Sequence, residues 1–359
     1  MFAFSFFQNK QFLPMLGLDL SATSARLVEL SMRKGGRLVL ERCAMLRLEN
    51  AQPAQAIADN FDQTVVDVRR LIKKSRTKTK NVAMALPPTA VMTKIISLPK
   101  GSSESAFEVR VEQEATRFVP YPLDEANLDY RVIGPSLAAP HLLDVHVAVS
   151  RREKVQDFSA LAEAAGLNLV ILDVSSYASR AAMKRLVDDQ FGLASLKLVA
   201  LVELGAHTTS VRVMRNDVVL YDRDQPFGGV QLTQLISERY HLSFEEAETQ
   251  KRSSDLPQGY EAMVLAPFVD QLAAEINRAL AFFFANTAFR TIDALMLAGG
   301  SASLPGLRAS VEAATLCPCF LVNPFEGMQM SESVRLRNAK LQAPAFLTAC
   351  GLALRRFSQ

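Results

Sequence analysis

The stretch MLGLDLSATSARLVEL, Met15 to Leu30, decides how the chain is read. Two apolar, strand-like pieces flank Ser21-Ala22-Thr23-Ser24, where a plain hairpin would favour Asn-Gly or Asp-Gly. The turn instead carries hydroxyls, with Asp19 just before it and Gly17 inside the first strand. The pattern returns at Leu196, in LKLVALVELGAHTTSVRVM, where Glu203 precedes Gly205 and the hydroxyl-rich turn runs to Thr208 and Thr209. In both places an acid stands before a Gly or Ser turn, and apolar alternation follows. A repeat this widely spaced predicts two related lobes rather than a solenoid.

The elements between the repeats fit an α/β chain. Arg37–Leu46 supplies a third strand, and Ile57, Phe61, Val65, Val68, Leu71 and Ile72 share one face of a helix over 54–75. NVAMALPP and VMTKIISLP read as strands, and a helix begins near Ser102 or Ser103 and stops before Pro120. Two strands follow, then a helix closed by Gly166 at its C-cap, a further strand and a helix. The second half adds a third strand, two helices, and a long helical region with Leu272, Ile276, Leu280, Phe283 and Phe284 on one face. IDALMLAGGSASLPGL then reads as a buried strand, a glycine loop and a helix, a transition where α/β proteins place ligands.

Bulk properties narrow the class. A chain of 359 residues suits two lobes or one large α/β body. The net charge of +3 is too small to imply nucleic acid. Basic residues concentrate in RRLIKKSRTKTKN, Arg69 to Asn81, with seven Lys or Arg and no acid. That run reads as a solvated helix end, or as a surface near anionic headgroups. Cys317 and Cys319 have no second pair at zinc spacing, so the four cysteines read as free thiols in a reducing compartment. The longest uncharged runs, such as Ala294–Leu307 and Leu341–Leu354, stop at 14 residues, too short to cross a bilayer. The expectation is a soluble, cytoplasmic protein.

The loops suggest polyphosphate chemistry. A tight turn with exposed N–H groups makes an anion-binding nest; Ser21–Ser24 is one candidate and Ala206–Thr209 a second. Asp19 is suited to fixing Mg²⁺ through water, and Glu203 holds the matching place. Gly299-Gly300-Ser301 could lie flat under a nucleoside. Neither a P-loop nor a Rossmann fingerprint occurs in the sequence. Each loop alone reads equally as an Asx cap or an ordinary glycine turn.

These loops resemble the nucleotide-binding signature of the actin, Hsp70 and sugar-kinase superfamily. RVEQEATRFVPYPLDEANLDYRVIG (Arg110 to Gly134) is similar to a segment of the PilM family of type IV pilus assembly proteins, on the FtsA-like branch. The stretch LLDVHVAVSRREKVQDFSALAEAAGLNLVILDVSSYA, the set Phe227, Gly228, Gly229, Leu232, Thr233, Ala247, Glu248, Lys251, and LAGGSASLPGL extend the likeness colinearly over nearly the whole chain. The resemblance implies a two-lobed actin-like ATPase fold with an extra inserted α/β subdomain. Residues 12–81, completed by 168–195 and 341–357, would form the first lobe, 82–167 the insertion, and 196–340 the second lobe.

The resemblance also implies ATP with Mg²⁺ in a cleft. Asp19 and Glu203 then fall on metal positions, and Ser21, Thr23, Ser24, Gly205 and Thr208 or Thr209 on phosphate loops. Gly228 and Gly229 belong to the same set, Glu248 and Lys251 bracket ribose and adenine, and Gly299 and Gly300 floor the nucleoside. Two departures stand out: Ser21 where Gly is frequent, and Glu203 where Asp is common. His207 reads as a solvent-facing turn residue rather than a base. No catalytic residue is nominated, and hydrolysis is expected to be slow at most.

By the same resemblance the protein is an adaptor that captures the short cytoplasmic N-terminal tail of PilN, of Asn-Leu-Leu-Pro character, and links the inner-membrane alignment complex to the pilus motor. Groove candidates are Met92–Ile96, Phe107–Phe118 and Leu128–Val132. A GspL-like secretion component shares the fold but would be expected to continue into a membrane helix. A small-molecule kinase would need a substrate acid or base that no further carboxylate supplies. An FtsA role would call for a membrane-targeting helix that GLALRRFSQ does not resemble.

Overall fold

The computed structural model describes residues 14–48, 60–101, 103–136, 139–189, 196–215, 218–253, 256–334 and 343–357. The part of the predicted first helix over 54–59 and the N-terminal aromatic run lie outside the described residues. The chain divides into two compact units: one holds 1–182, 328–334 and 348–359, the other 183–327 and 335–347.

In the first unit, β1 (Met15–Leu20), β2 (Ser24–Met32) and β3 (Leu38–Arg47) form an antiparallel meander. β4 (Asn81–Leu86) joins β1 in parallel, β8 (Asn168–Val174) joins β4, and the short β14 (Gln329–Met330) extends the far edge, giving the order β14-β3-β2-β1-β4-β8. β1 and most of β4 are buried throughout, which explains why both are apolar apart from Asp19 and Asn81. α1 (Phe61–Ser75) puts Val65, Val68 and Leu71 against this sheet. On the other face α9 (Leu347–Leu354) approaches so closely that a Cβ on Gly17 would sit 2.1 Å from the Ala349 carbonyl oxygen. Only glycine admits that approach.

A separate three-stranded antiparallel sheet, ordered β5-β7-β6, is built from β5 (Val91–Pro99), β6 (Ala126–Pro135) and β7 (Leu142–Arg151). It packs Ile96, Leu98, Val145, Val147 and Val149 against α2 (Glu104–Thr116). Ser103 caps α2, its Oγ accepting from the Ala106 N–H, as the serine cluster predicts. α3 (Arg152–Ala164) carries Phe158 and Leu161 into the large-sheet core, and α4 (Ser175–Asp189) follows β8.

The second unit repeats the plan. β9 (Leu198–Leu204), β10 (Thr209–Arg215) and β11 (Val218–Gln225) are antiparallel, while β12 (Ala294–Ala298) and β13 (Cys319–Leu321) are parallel to β9, giving β11-β10-β9-β12-β13. This is the order β3-β2-β1-β4-β8 over again. α5 (Gly229–Tyr240), α6 (Phe244–Ser253), α7 (Ala266–Ala285) and α8 (Leu307–Thr315) complete the unit. Leu272, Ile276, Leu280 and Phe283 of α7 fill its core as the helical stripe predicts, joined by Phe268, while Phe284 of the same stripe is only partly buried against it.

Candidate functional site

The two hairpin turns superimpose in hydrogen bonding as well as in sequence. Leu20 pairs with Ala25, and the Ser21 N–H donates to the Ser24 carbonyl at 3.0 Å. Leu204 pairs with Thr209, and the Gly205 N–H donates to the Thr208 carbonyl at 2.9 Å. Asp19 therefore corresponds to Glu203, Ser21 to Gly205 and Ser24 to Thr208. In the second turn a Cβ at Gly205 would lie 2.8 Å from the Thr208 carbonyl oxygen. In the first, Ser21 places its hydroxyl in a 2.9 Å bond to the Ser24 carbonyl, so the serine departure is built in. The N–H groups of Ala22, Thr23, Ala206 and His207 have no partner among the described residues, which is the donor set of an anion nest. His207 and Thr208 are exposed, whereas the buried Thr209 commits its hydroxyl to the Phe227 carbonyl at 2.7 Å. Of the two threonines, only Thr208 faces outward.

Both acids before the turns are held by arginines of their own hairpins. Asp19 Oδ2 accepts from Arg26 Nη1 at 2.9 Å, with both side chains about one-tenth exposed. Burial pushes the Asp19 pKa up, against the pull of Arg26. Glu203 accepts from Arg212, which also pairs with Asp222 at 3.0 Å. Arg212 is buried, which disfavours its charge, but Glu203, Asp222 and Asp224 together raise its pKa. Nothing in the sequence motif signalled these arginines beyond a basic residue seven or nine positions on.

Among the described residues no cluster of three or more His, Cys, Asp or Glu could hold a metal by itself. Mg²⁺ beside phosphates is held by one or two carboxylates with water completing the shell, and each turn offers one such acid, Asp19 in the first unit and Glu203 in the second. Arg26 is bonded to one Asp19 oxygen, Oδ2.

In the second unit the remaining nominated residues converge. Gly229 N–H donates to the Gly205 carbonyl at 3.0 Å, and Val230 N–H to Ala206 at 2.8 Å. A Cβ on Gly228 would be 2.7 Å from the carbonyl oxygens of Gly205 and Ala206, so the two glycines let α5 abut the turn. Lys251 Nζ donates to the Gly229 carbonyl at 3.0 Å and to Thr233 Oγ1 at 2.5 Å, and pairs with Glu248 at 2.6 Å. Glu248 is buried, which raises its pKa, yet Lys251, Thr233 and Arg252 bring it below the ordinary value. A Cβ on Gly299, at φ +96°, would meet the Leu204 carbonyl oxygen at 2.4 Å, while Ser301 N–H donates to that oxygen at 3.3 Å. The turn, α5, α6 and the loop after β12 thus form one contiguous patch. Thr233 and Ser301, named in the sequence motifs without an assigned role, are its further polar members. Asp19, Ser21, Thr23 and Ser24 belong to the first unit.

The N-terminus of α5 is no anion site, because the N–H groups of Gly228, Gly229 and Val230 are taken by Gln231 Oε1 and the two loop carbonyls.

The first unit holds a cavity of about 550 Å³ lined by Ala126, Asn127 and Leu128 of β6, Arg152, Val155, Gln156 and Ser159 of α3, and Leu169, Val170 and Leu172 of β8. Asn127 Oδ1 is buried with no hydrogen-bond partner among the described residues. Of the nominated groove segments, only Leu128 lines this cavity. Ile96, Val111 and Ala115 are core residues, with Met92, Phe107 and Phe118 packed against them. Period-two and helical alternation had marked those side chains as apolar without saying which way they face.

A family model described as type IV pilus assembly protein PilM matches residues 17–357. Among solved structures, the chain is similar to one described as the PilM–PilN type IV pilus biogenesis complex, at 26% identity, covering 97% of this chain and 99% of that one, with a TM-score of 0.76. It is also similar to the ethanolamine utilization protein EutJ from Carboxydothermus hydrogenoformans, at 16% identity over 95% and 89% of the chains, with a TM-score of 0.55. These matches bear out the expected α/β actin-like fold. With its two repeated hairpin sheets and a family match spanning almost its full length, the chain belongs to the type IV pilus assembly protein PilM family.

Proposed function

We propose that this protein is a cytoplasmic, nucleotide-binding adaptor that captures the short N-terminal tail of a PilN-like inner-membrane protein and links the alignment complex to the pilus motor. In this reading it sits at the inner membrane through its partners, and the β5-β7-β6 sheet with α2, within the expected 82–167 span, is the inserted subdomain of the first lobe. The observation that carries the reading is the cavity between β6, α3 and β8. Its volume falls in the range of real ligand sites, and Leu128, Val155, Leu169 and Leu172 offer apolar walls for leucine anchors. The unpaired Asn127 Oδ1 is a ready acceptor for a peptide N–H or an asparagine amide. That a similar solved structure is described as a PilM–PilN complex supports the choice of partner.

ATP with Mg²⁺ is the proposed cofactor. The turn amides and the hydroxyls of Ser21, Thr23, Ser24 and Thr208 would hold phosphates, and Glu248, Lys251, Gly299 and Gly300 would hold the nucleoside. Asp19 and Glu203 would order water around the metal, whose charge would offset the polyphosphate. Binding rather than turnover is the expected role.

Calorimetry with a synthetic Asn-Leu-Leu-Pro tail peptide tests the adaptor reading. Replacing its leucines by alanine should weaken binding at least tenfold, about 1.4 kcal/mol. Ser159→Trp, at an exposed wall position, should fill the cavity and abolish peptide binding while leaving ATP affinity unchanged. Full peptide affinity in that variant, or no binding of any tail peptide to the folded chain, refutes the reading.

A further inference from the structure

We propose that one end of the large sheet of the first unit, formed by the Arg33–Arg37 turn and the Arg76–Lys80 segment, docks directly on an anionic lipid bilayer. The inference is independent of the peptide and nucleotide readings. The basic run noted in the sequence leaves α1 at Ser75 and continues as an extended segment into β4. Alternation sorts its side chains. Thr77 and Thr79 turn inward and donate to Glu29 of β2 at 2.8 and 2.6 Å. Arg76, Lys78 and Lys80 are therefore left exposed. Glu29 is also paired with Arg42 at 3.4 Å, so the acid in their midst is already neutralised.

The β2–β3 turn projects from the same end. Arg33 lies four residues beyond Glu29, about 13 Å along the strand. The turn is closed by the Arg33 N–H donating to the Arg37 carbonyl at 2.9 Å. Arg33, Lys34 and Arg37 are all exposed, Met32 beside them is 46% exposed, and no acid occurs between 30 and 40. Arg356 reaches this end too, donating to the Leu30 carbonyl at 3.1 Å.

A soluble polyanion would be served by charge alone; what singles out a bilayer is the chain that enters here. Met15 pairs with Asn81, and Asn81 Nδ2 donates to the Pro14 carbonyl at 3.3 Å, so the polypeptide joins the sheet next to Lys80. The preceding residues include Phe2, Phe4, Phe6, Phe7 and Phe12 with no acid. Stable attachment to a membrane surface takes two signals, an apolar one and a polybasic one. The polybasic signal is built into one end of the sheet, and the apolar one is encoded in the sequence that leads into it.

Flotation of the full chain with vesicles tests this. Phosphatidylcholine vesicles containing a third phosphatidylglycerol should carry the protein up the gradient, pure phosphatidylcholine should not, and high salt should release it. Each cation near such a surface is worth on the order of a fivefold factor in partitioning. The combined Arg33→Glu, Lys34→Glu and Arg37→Glu variant should therefore lose at least tenfold with an unchanged unfolding curve. Phe4→Ser with Phe6→Ser should weaken vesicle binding and leave any retention on short duplex DNA unaltered. Equal binding to neutral vesicles, no flotation, or indifference to the charge reversals overturns the proposal. So does release from vesicles by inositol hexakisphosphate with no effect of the phenylalanine changes, which would assign the cations to a soluble polyanion.

Discussion

Asp19→Ala looks like the natural test of a metal-linked carboxylate, but the structure shows that it does something else first. Asp19 is 7% exposed and lies directly across the β1–β2 ladder from Arg26, with Oδ2 2.9 Å from Nη1. Arg26 Nε is itself buried with no partner among the described residues, so the guanidinium relies on Asp19 for its neutralisation. Truncating one member of a buried pair leaves an uncompensated charge, at a cost of about 3–5 kcal/mol. Against a whole-domain stability of about 5–15 kcal/mol, that is a large fraction. Asp19→Asn keeps an oxygen acceptor and should cost less, about 1.5–3 kcal/mol for the lost charge-assisted bond. Asp19→Ala with Arg26→Met removes both charges and should recover most of the loss, since well-packed apolar pairs replace ion pairs at little cost. Urea unfolding of the three variants measures the cycle, and ATP titration of the Asn variant with and without Mg²⁺ then isolates the metal role. A single Asp19→Ala within about 0.5 kcal/mol of the parent, the range of ordinary surface changes, would refute the argument that Asp19 neutralises Arg26. Unaltered magnesium dependence in Asp19→Asn would remove Asp19 from the metal.

Two further outcomes follow from the geometry. Burial, aided by Arg180, lowers the His146 pKa to about 4, and burial raises that of Asp129 to about 6 despite the bond from the Tyr130 N–H. The stability from a neutral His146 is complete above the ordinary histidine pKa near 6.5 and is lost as pH falls toward 4. That from a protonated Asp129 is complete below 3.8 and is lost as pH rises through 6. The two oppose each other between those limits, each worth on the order of 1–2 kcal/mol after solvent screening. His146→Gln should therefore give stability that falls with rising pH, and Asp129→Asn the reverse; parallel curves for both variants would contradict the assignment. Separately, Gly299→Ala combines a left-handed φ of +96° with a Cβ 2.4 Å from the Leu204 carbonyl oxygen. It should destabilise the second unit by about 1–3 kcal/mol from backbone strain alone, with the clash added, as read by urea midpoint.

The succession of elements and the repeated hairpins were legible because β12 is a continuous apolar run, β1 and β9 are apolar but for one acid each, and the turns are hydroxyl-marked, signals that act over fewer than ten residues. The capped start of α2 and the glycine at position 166 after α3 were legible for the same reason. What the sequence hid was side-chain partnership across strands. Arg26 and Arg212 read as ordinary polar positions in alternating strands, yet each is buried against an acid. Thr209 and Thr208 are chemically alike, and only the strand register turns one inward to the Phe227 carbonyl. The cavity between β6, α3 and β8 draws on segments more than forty residues apart, which no local pattern relates.

Those hidden partnerships bear on chemistry. Hydrolysis by water needs a group that can take a proton, and a carboxylate already engaged by a guanidinium or ammonium is poorly placed to do so. Asp19 is held by Arg26, Glu203 by Arg212, and Glu248 by Lys251 and Arg252. His207 sits exposed on the turn with no carboxylate bonded to it among the described residues, so nothing orients its ring. Every acid in the nominated set is thus spent on holding the turns and α6 in place, while the turn amides of Ala22, Thr23, Ala206 and His207 stay available to an anion. Each turn, wired this way, is suited to the proposed holding of a nucleotide rather than to its cleavage. It follows that steady-state turnover should stay well below the ordinary enzyme range of about 1 s⁻¹ and above, and that ATP should act on this protein chiefly by being bound.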